Sequence, residues 1–196
     1  MRAGGFTVLE SLPDPLAWKE LRSEAARSVR NSSLSVVESS DGAEVRGGNP
    51  ARRFLQTSGG EAQDAFYRSA LVADLLSTLC GATVAPTGLR GTYSYYVKPN
   101  HHLALHRDIE TCDVAVITCI YALTSRNAGG LCVYPSRCAE FLSDIRATPQ
   151  QGLVRVPLRA GQTIVLLGGI VPHLVQPLSE AQARVVSVLC YRATTS

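Results

Sequence analysis

The feature that most constrains the fold is a change in sequence character at residue 82. From there on, short runs rich in β-branched and aromatic residues follow one another, separated by Gly, Pro and Asn, which predicts successive β-strands. We expect about eight strands, near 82–85, 89–97, 103–108, 114–123, 130–134, 153–157, 163–168 and 183–192, with a short helix or loop insert at 139–147. Strands that follow one another in this way favour an antiparallel sandwich or small barrel, whose mouth can hold one small ligand.

Two helices are predicted before these strands begin. Asp14 is a good N-cap and Pro15 suits the first helical position, so we expect a helix from there to about residue 30. Residues 61–80 have the apolar spacing of a clearer helix, which Gly81 would end. We expect the apolar face of this helix to pack across the back of a sheet.

Residues 31–60 have little periodicity and are rich in Ser, Gly and Asn. Such a segment is either a lid that carries substrate contacts or a mobile surface loop, and both interpretations stay open. A length of 196 residues suits one domain with a sizeable core. We therefore expect a single domain over 1–196, with an N-terminal helical and lid region at 1–81 and the β-barrel core at 82–196.

Composition and charge argue against several classes of partner. Hydrophobic residues make up 45% of the chain and charged residues 18%, which is a globular balance. No apolar run approaches the roughly 18 residues of a membrane span, and the N-terminus lacks the apolar core of a signal peptide. The net charge is only +3, without a basic run that would suit nucleic acid. We expect a soluble cytoplasmic protein with no membrane or nucleic-acid partner, and its oligomeric state stays unknown.

The six cysteines are scattered along the chain, and no pair has the Cys-x-x-Cys spacing of a zinc or redox site. They stand at positions 80, 112, 119, 132, 138 and 190. Most of them lie in apolar or strand-like contexts, so we expect reduced thiols rather than disulfides.

The main chemical signal is His106-Arg107-Asp108. Side chains alternate along a strand, so His106 and Asp108 should aim at one point, with Arg107 turned outward. His-x-Asp alone is a common pattern, but His173 follows a second apolar run and supplies another candidate ligand. Two histidines and one carboxylate, with other coordination positions open, are the ligand set of non-haem Fe(II) oxygenases. We expect these three residues to hold iron.

Arg184 is the second unusual residue, because it leads into the apolar run VVSVLC. A buried arginine requires an anionic partner, since an unpaired buried charge is costly. A bound carboxylate would meet that requirement.

The stretch from Tyr93 to Arg192 resembles the Fe(II)/2-oxoglutarate-dependent dioxygenases, and most of all their prolyl-hydroxylase-like branch. The matching segments are 95–96 and 103–108, 117–123, 129–135, 161–163 and 172–177, and 184–188. Their order and spacing together carry the resemblance, which covers about the C-terminal half of the chain. It implies a mainly β fold with flanking helices, namely a double-stranded β-helix of the jelly-roll or cupin type.

The resemblance also implies roles for individual residues. His106, Asp108 and His173 would be the catalytic metal ligands for Fe(II). Arg184 would pair with the distal carboxylate of 2-oxoglutarate, the co-substrate, whose other carboxylate and keto oxygen would chelate the metal. O2 would be the third reactant. Because Asp108 is present, halogenation is disfavoured, since the related halogenases replace this carboxylate with a small residue.

Two tyrosines are further candidates for the co-substrate site. Tyr96 falls where the family often places a tyrosine against 2-oxoglutarate, and Tyr121 either lines the same pocket or packs on the barrel. The serine that often stands two residues after the arginine is Val186 in this sequence, and Ser187 should face away. One expected hydrogen bond to the co-substrate is therefore missing.

The resemblance implies an enzyme that uses O2 to oxidise an unactivated C–H bond, most often by hydroxylation, and releases succinate and CO2. We expect a small-molecule substrate, such as an amino acid or natural-product intermediate, with His101, His102 and Arg53 as candidate contacts. An oxygenase of peptidyl side chains, such as a prolyl hydroxylase, is the alternative. A non-catalytic β-barrel binding module is the third interpretation.

Overall fold

The computed structural model describes residues 4–41, 44–123 and 130–194. The strands are β1 (Phe6–Leu9), β2 (Ser33–Val37), β3 (Arg52–Ser58), β4 (Thr83–Pro86), β5 (Thr92–Tyr96), β6 (His102–His106), β7 (Val114–Leu123), β8 (Leu131–Val133), β9 (Val154–Val156), β10 (Thr163–Leu166), β11 (His173–Val175) and β12 (Ala183–Thr194). The helices are α1 (Pro15–Ser28), α2 (Glu61–Tyr67), α3 (Ala70–Cys80) and α4 (Leu142–Ala147), with a 3₁₀ turn at Val29–Asn31. Of the segments that carry the family resemblance, Gly129 lies outside the described residues.

The described strands pair antiparallel in the order β1-β10-β7-β12-β5-β3-β6-β11-β8-β9, with β2 added beside β3 and β4 beside β12. Side chains from both halves of this order, among them Ile117, Val186, Val133 and Val175, meet in one buried cluster. The sheet therefore folds over its own interior, as a jelly roll does. The predicted double-stranded β-helix fold is confirmed.

The outer face of the sheet is covered by helices. Leu21 of α1 and Leu76 of α3 are buried against Tyr93 and Tyr191, whose side chains point away from the barrel interior. Burial of each leucine side chain contributes about 1.5–3 kcal/mol. The helices thus hold one face of the sheet, and the opposite face is left to form the interior.

The predicted N-cap of α1 is present, because Asp14 Oδ1 accepts a hydrogen bond from the main-chain N–H of Leu16 at 2.8 Å. The helix predicted over 61–80 is instead two helices, α2 and α3. The break falls at Ser69, whose extended backbone starts α3. Gly81 ends α3 in the left-handed conformation, with φ of 67°, where glycine is favoured.

Residues 31–60 contain two strands of the sheet. β2 pairs with β3, and β3 pairs in turn with both β5 and β6. The barrel therefore includes β3, although the predicted barrel core begins only at residue 82. The sequence of β3, RRFLQTS, is mostly polar, so its pattern did not identify it as a barrel strand.

Cys112 and Cys190 form a disulfide, with Cα atoms 4.9 Å apart. The expectation of reduced thiols is wrong for this pair. Their sequence separation of 78 residues shows why, because only the pairing of distant segments brings them together. Cys80, Cys119 and Cys132 are free thiols.

No helix in the described ranges is both long and apolar enough to cross a membrane.

Candidate metal centre

The two candidate histidines meet across a pair of strands. His106 ends β6, His173 begins β11, and the two residues are direct antiparallel partners. Asp108 follows β6 by two residues, and its Oδ1 lies 3.6 Å from the Nε2 atom of each histidine. One ligand atom from each of the three side chains lies within 4.8 Å of the others. Three donors so close together are able to share one metal ion.

Each histidine is oriented by its own strand. His106 Nδ1 lies 2.9 Å from the main-chain oxygen of Ala104, and His173 Nδ1 lies 2.9 Å from that of Val171. A main-chain oxygen accepts a hydrogen bond from Nδ1–H, and in a neutral imidazole this leaves the lone pair on Nε2 free. Both Nε2 atoms are thus prepared as ligands, and both face Asp108.

Burial and mutual charge set the protonation of the three groups. Burial lowers the pKa of His106, and the neighbouring His173 lowers it further, so its imidazole is neutral. Burial alone would also lower the pKa of His173, but the Asp108 carboxylate raises it above its ordinary value. Burial would raise the pKa of Asp108, yet the two histidines hold it well below its usual range. Asp108 is therefore an anion that attracts a cation to this point.

Gly168 provides the space for the Asp108 carboxylate. The main-chain N–H of Asp108 donates to the Gly168 oxygen at 2.8 Å, and a Cβ at Gly168 would collide with the carboxylate. A larger residue at position 168 would displace a candidate ligand.

Arg107 points away from the ligands, as the strand alternation predicts, and is buried. Its guanidinium donates to the main-chain oxygens of Ile170, Val45, Cys138 and Glu140 at 2.8–2.9 Å. It therefore joins the strand of the first histidine to the turn before the second one and to two other segments. Arg107, which lies between two candidate ligands in the sequence, therefore connects the chain segments around the site through its hydrogen bonds.

Arg46 binds the loop that follows Asp108. Its guanidinium donates to the main-chain oxygens of Asp108, Ile109 and Glu110 at 2.9–3.2 Å, and it pairs with the Asp113 carboxylate at 2.9 Å. The chain between β2 and β3, which the sequence left as a lid or a loop, is thus attached next to the candidate metal ligands.

A cavity of about 180 Å³ connects the ligands with Arg184. Arg184 is 3% exposed, and within the described part of the chain its Nη1 atom is buried without a hydrogen-bond partner. Its Cζ lies 5.7 Å from the centre of the Tyr96 ring. Burial lowers the pKa of Arg184 and raises that of Tyr96 to about 12, so the Tyr96 hydroxyl keeps its proton. An unpaired buried guanidinium is unfavourable until an anion reaches it.

A larger cavity of about 370 Å³ lies between α2 and residues 88–91. None of the candidate metal ligands lines it. Chemistry rather than size therefore makes the cavity at His106, Asp108, His173 and Arg184 the candidate functional site.

Tyr121 does not line the metal cavity, which corrects one of the predicted co-substrate contacts. Val185 pairs with Tyr121 but Val186 pairs with Cys119, so β7 has one extra residue at this point. Such a bulge reverses the faces of the residues that follow it. Tyr121 is consequently 48% exposed and lies in an outer groove beside α1.

The three predicted substrate contacts also lie outside this cavity. His101 is buried in the turn between β5 and β6, where its Nδ1 lies 3.2 Å from the Val97 nitrogen. His102 Nδ1 contacts the Asn100 oxygen at 2.8 Å. Arg53 forms an exposed ion pair on the outside of β3. These residues close a turn or face solvent, so none of the three lines the cavity.

Three uncharged polar side chains that we did not predict do line the cavity: Gln56 of β3, and Thr92 and Ser94 of β5. Thr92 and Ser94 share a face with Tyr96 by strand alternation, so the sequence contained that signal. Gln56 had none, because β3 was not recognised. Ser187 faces away as expected, and its Oγ accepts a hydrogen bond from a glutamine of α2.

Comparison with solved structures shows which known proteins have a similar fold. No protein-family model matches the chain, and no curated protein matches it in sequence. The chain is similar to a prolyl-4-hydroxylase of Pseudomonas putida, with a TM-score of 0.61, 16% identity, and coverage of 97% of this chain and 93% of the other.

Two further solved structures are also similar to this chain. The non-haem α-ketoglutarate-dependent epimerase SnoN, from nogalamycin biosynthesis, has a TM-score of 0.71, 15% identity, and coverage of 98% and 77%. HygX of Streptomyces hygroscopicus, solved with nickel, 2-oxoglutarate and hygromycin B bound, has a TM-score of 0.64, 14% identity, and coverage of 97% and 83%. The likeness to the Fe(II)/2-oxoglutarate dioxygenases that the sequence predicted is confirmed at the level of the fold.

Proposed function

We propose that this protein is an Fe(II)- and 2-oxoglutarate-dependent oxygenase. The observation that carries the proposal is the buried, unpartnered Nη1 atom of Arg184, at one end of a cavity whose other end holds His106, Asp108 and His173. A cation site and an anion site in one cavity suit a metal chelator with a second carboxylate. 2-Oxoglutarate is such a molecule.

The donor set fits the metal. His106 Nε2, His173 Nε2 and one oxygen of Asp108 would hold Fe(II), and Arg184 would receive the distal carboxylate of 2-oxoglutarate. With 2-oxoglutarate and O2, iron in this site would supply the oxidant for an unactivated C–H bond, with release of succinate and CO2.

The protein's own residues bind, orient and exclude water. The main-chain contacts at both Nδ1 atoms keep the imidazole rings in register with the Asp108 carboxylate. Tyr96 keeps its hydroxyl proton and is able to donate a hydrogen bond to an anion beside Arg184. Apolar side chains such as Ile117 and Val186 line the rest of the cavity and make it a poor environment for water.

A small-molecule substrate is the version that we favour. Among the similar structures, SnoN belongs to nogalamycin biosynthesis, and HygX was solved with 2-oxoglutarate and the small molecule hygromycin B bound. The alternative is a peptidyl substrate, which the likeness to a prolyl-4-hydroxylase favours. A binding module without catalysis is the least favoured alternative. A site that had lost its catalytic activity would be expected to lack one of the three metal ligands or the buried arginine, and all four are present.

The test is an anaerobic titration of purified protein with Fe(II) and 2-oxoglutarate, following the visible absorption band of their chelate. The parent should develop the band, and His106→Ala should not. His102→Ala is the matched control, because this histidine lies on the same strand and outside the cavity. If folded parent protein, freed of metal beforehand, gives no band, the proposal is refuted.

A further inference from the structure

The inner side chains of β3, β5 and β12 form three layers along the cavity. The innermost layer contains Phe54, Tyr96 and Arg184, because Tyr96 and Arg184 are register partners. Tyr96 is 2% exposed and Arg184 is 3% exposed, so this end of the cavity is closed. The anion site is thus the deep end.

The next two layers lead outward. Gln56, Ser94 and Val186 form the middle one, and Thr92 and Val188 form the outer one. Thr92 and Val188 are only partly buried, whereas Ser94 is 5% exposed. With a rise of about 3.3 Å per residue, the step from Tyr96 to Thr92 covers about 13 Å along β5. Going outward from the closed Arg184 end, these strands therefore line the cavity wall with uncharged polar and apolar side chains.

Apart from Arg184 and the candidate metal ligands, the described lining of the cavity has no charged group. Among the described residues that line the cavity, the only charged side chains besides the two histidines are Asp108 and Arg184. The proposed function commits both of them, one to the metal and the other to the co-substrate. A free amino acid would bring an ammonium and a carboxylate to a wall that offers no counter-ion to either, which is unfavourable.

What remains on the wall is one amide and hydroxyls. No hydrogen bond of the Gln56 or Thr92 side chain is present within the part of the chain that the structure describes, and both side chains face the cavity. An amide donates and accepts, and so does a hydroxyl, which matches the hydroxyl groups of a polyol. The same cavity is also lined by the apolar side chains of Val188 and Ile117, which suits the carbon skeleton of such a molecule.

We infer that Gln56 and Thr92 contact the substrate and select a neutral, hydroxylated carbon skeleton, such as a sugar, cyclitol or polyol portion, over a free amino acid. The inference rests on the proposed function, because it assigns the deep layer to 2-oxoglutarate. The cavity, at about 180 Å³, is smaller than the roughly 300–1,000 Å³ of typical ligand pockets. With the co-substrate inside, only part of the substrate enters, and that part meets Gln56 and Thr92.

The experiment compares two panels of compounds on Fe(II)-loaded enzyme with 2-oxoglutarate and O2. One panel contains neutral sugars, cyclitols and simple glycosides, and the other contains the standard amino acids and a blocked prolyl peptide. Succinate formation reports coupled turnover, and anaerobic calorimetry reports binding of the best compound without turnover. The variants are Gln56→Met and Thr92→Val, which keep side-chain size and remove the polar group.

We expect a neutral hydroxylated compound to stimulate succinate formation and the second panel to leave it at background. Each variant should weaken calorimetric binding of that compound about tenfold, as expected for one lost hydrogen bond, and change 2-oxoglutarate affinity by no more than about twofold. Thr57→Val is the matched control, because Thr57 points to the opposite face of β3 and should bind as the parent does.

Three results would overturn the inference while leaving the proposed function intact. One is stimulation by an amino acid or the peptide instead of a hydroxylated compound. Another is normal chelate formation with no response to any neutral hydroxylated compound. The third is a loss of 2-oxoglutarate affinity in Thr92→Val and Gln56→Met, which would assign both residues to the co-substrate. Failure of the proposed function is seen separately, as the absence of the chelate band in the parent.

Discussion

Replacing Arg184 with methionine should make the protein more stable and at the same time abolish tight binding of 2-oxoglutarate. The guanidinium is 3% exposed and has a buried nitrogen without a partner in the described structure. Its burial is therefore unfavourable in the protein without co-substrate. Methionine fills a similar volume and carries no charge, so it should fit between Tyr96 and the free thiol of Cys119.

The substitution should raise the stability of the protein and lower its affinity for 2-oxoglutarate. Replacement of a buried charge by an apolar side chain of similar size is often neutral or stabilising by about 1–4 kcal/mol, so Arg184→Met should raise the free energy of unfolding by about 1–3 kcal/mol. Hydrogen bonds to a charged group contribute about 1.5–3 kcal/mol, so 2-oxoglutarate affinity should fall roughly 10- to 150-fold. Co-substrate at about 100 times its dissociation constant should stabilise metal-loaded parent by about 2.7 kcal/mol and the variant by much less.

Urea denaturation of metal-free protein measures the change in the free energy of unfolding. The same denaturation of metal-loaded protein, with and without 2-oxoglutarate, measures the stabilisation by the co-substrate. Arg192→Met is the matched control, because Arg192 lies on the same strand and is exposed. A variant that loses more than about 2 kcal/mol of stability without co-substrate would show that Arg184 supports the fold instead. Unchanged 2-oxoglutarate affinity would refute its assignment to the co-substrate.

Three other substitutions test what holds the site in place. Arg107→Met removes the donor of four main-chain oxygens and should lower the free energy of unfolding in urea by about 3–4 kcal/mol, with weaker Fe(II) binding by the surviving fold. Glu24→Ala removes the acceptor for three main-chain N–H groups at the start of α2 and for the Tyr93 hydroxyl, and should lower the urea midpoint by the equivalent of about 2–3 kcal/mol. Glu44→Gln should speed hydrogen exchange of the Ser143 amide at neutral pH. The N–H of Ser143 donates to the Glu44 carboxylate and holds the pKa of Glu44 below its ordinary value. In the parent the contact is therefore complete at any pH above the ordinary pKa, and it is lost only as the pH falls through the lowered pKa. Equal protection of the Ser143 amide in both proteins at neutral pH would refute this.

The sequence correctly predicted which way a side chain faces wherever that depended on alternation along a single strand. Alternation placed His106 and Asp108 together with Arg107 on the other side, and the structure has that arrangement. The same reasoning predicted that Ser187 faces away from the cavity, which is confirmed by its hydrogen bond to α2. These outcomes follow from the period of two along a strand, which is a local property of the backbone.

The predictions that failed depended on how distant segments pair. Tyr121 faces outward because β7 has one extra residue opposite β12, and no feature of the sequence near Tyr121 specifies a bulge. Gln56 was missed because β3 is polar and belongs to the barrel only through its pairing with β5 and β6. The pairing of Cys112 with Cys190 likewise depends on the approach of two segments 78 residues apart.

By itself, the sequence determined a series of antiparallel strands in a sandwich or small barrel, the candidate ligands His106, Asp108 and His173, and the anomaly of Arg184. Each of these follows from local patterns: strand alternation, turn residues, and a charge leading into an apolar run. Only the tertiary structure decided that Arg184 closes the same cavity as the ligands, and that Gln56 faces it. Those facts depend on strand order and register, which are set by contacts between residues far apart in the chain and not by the residues around each position.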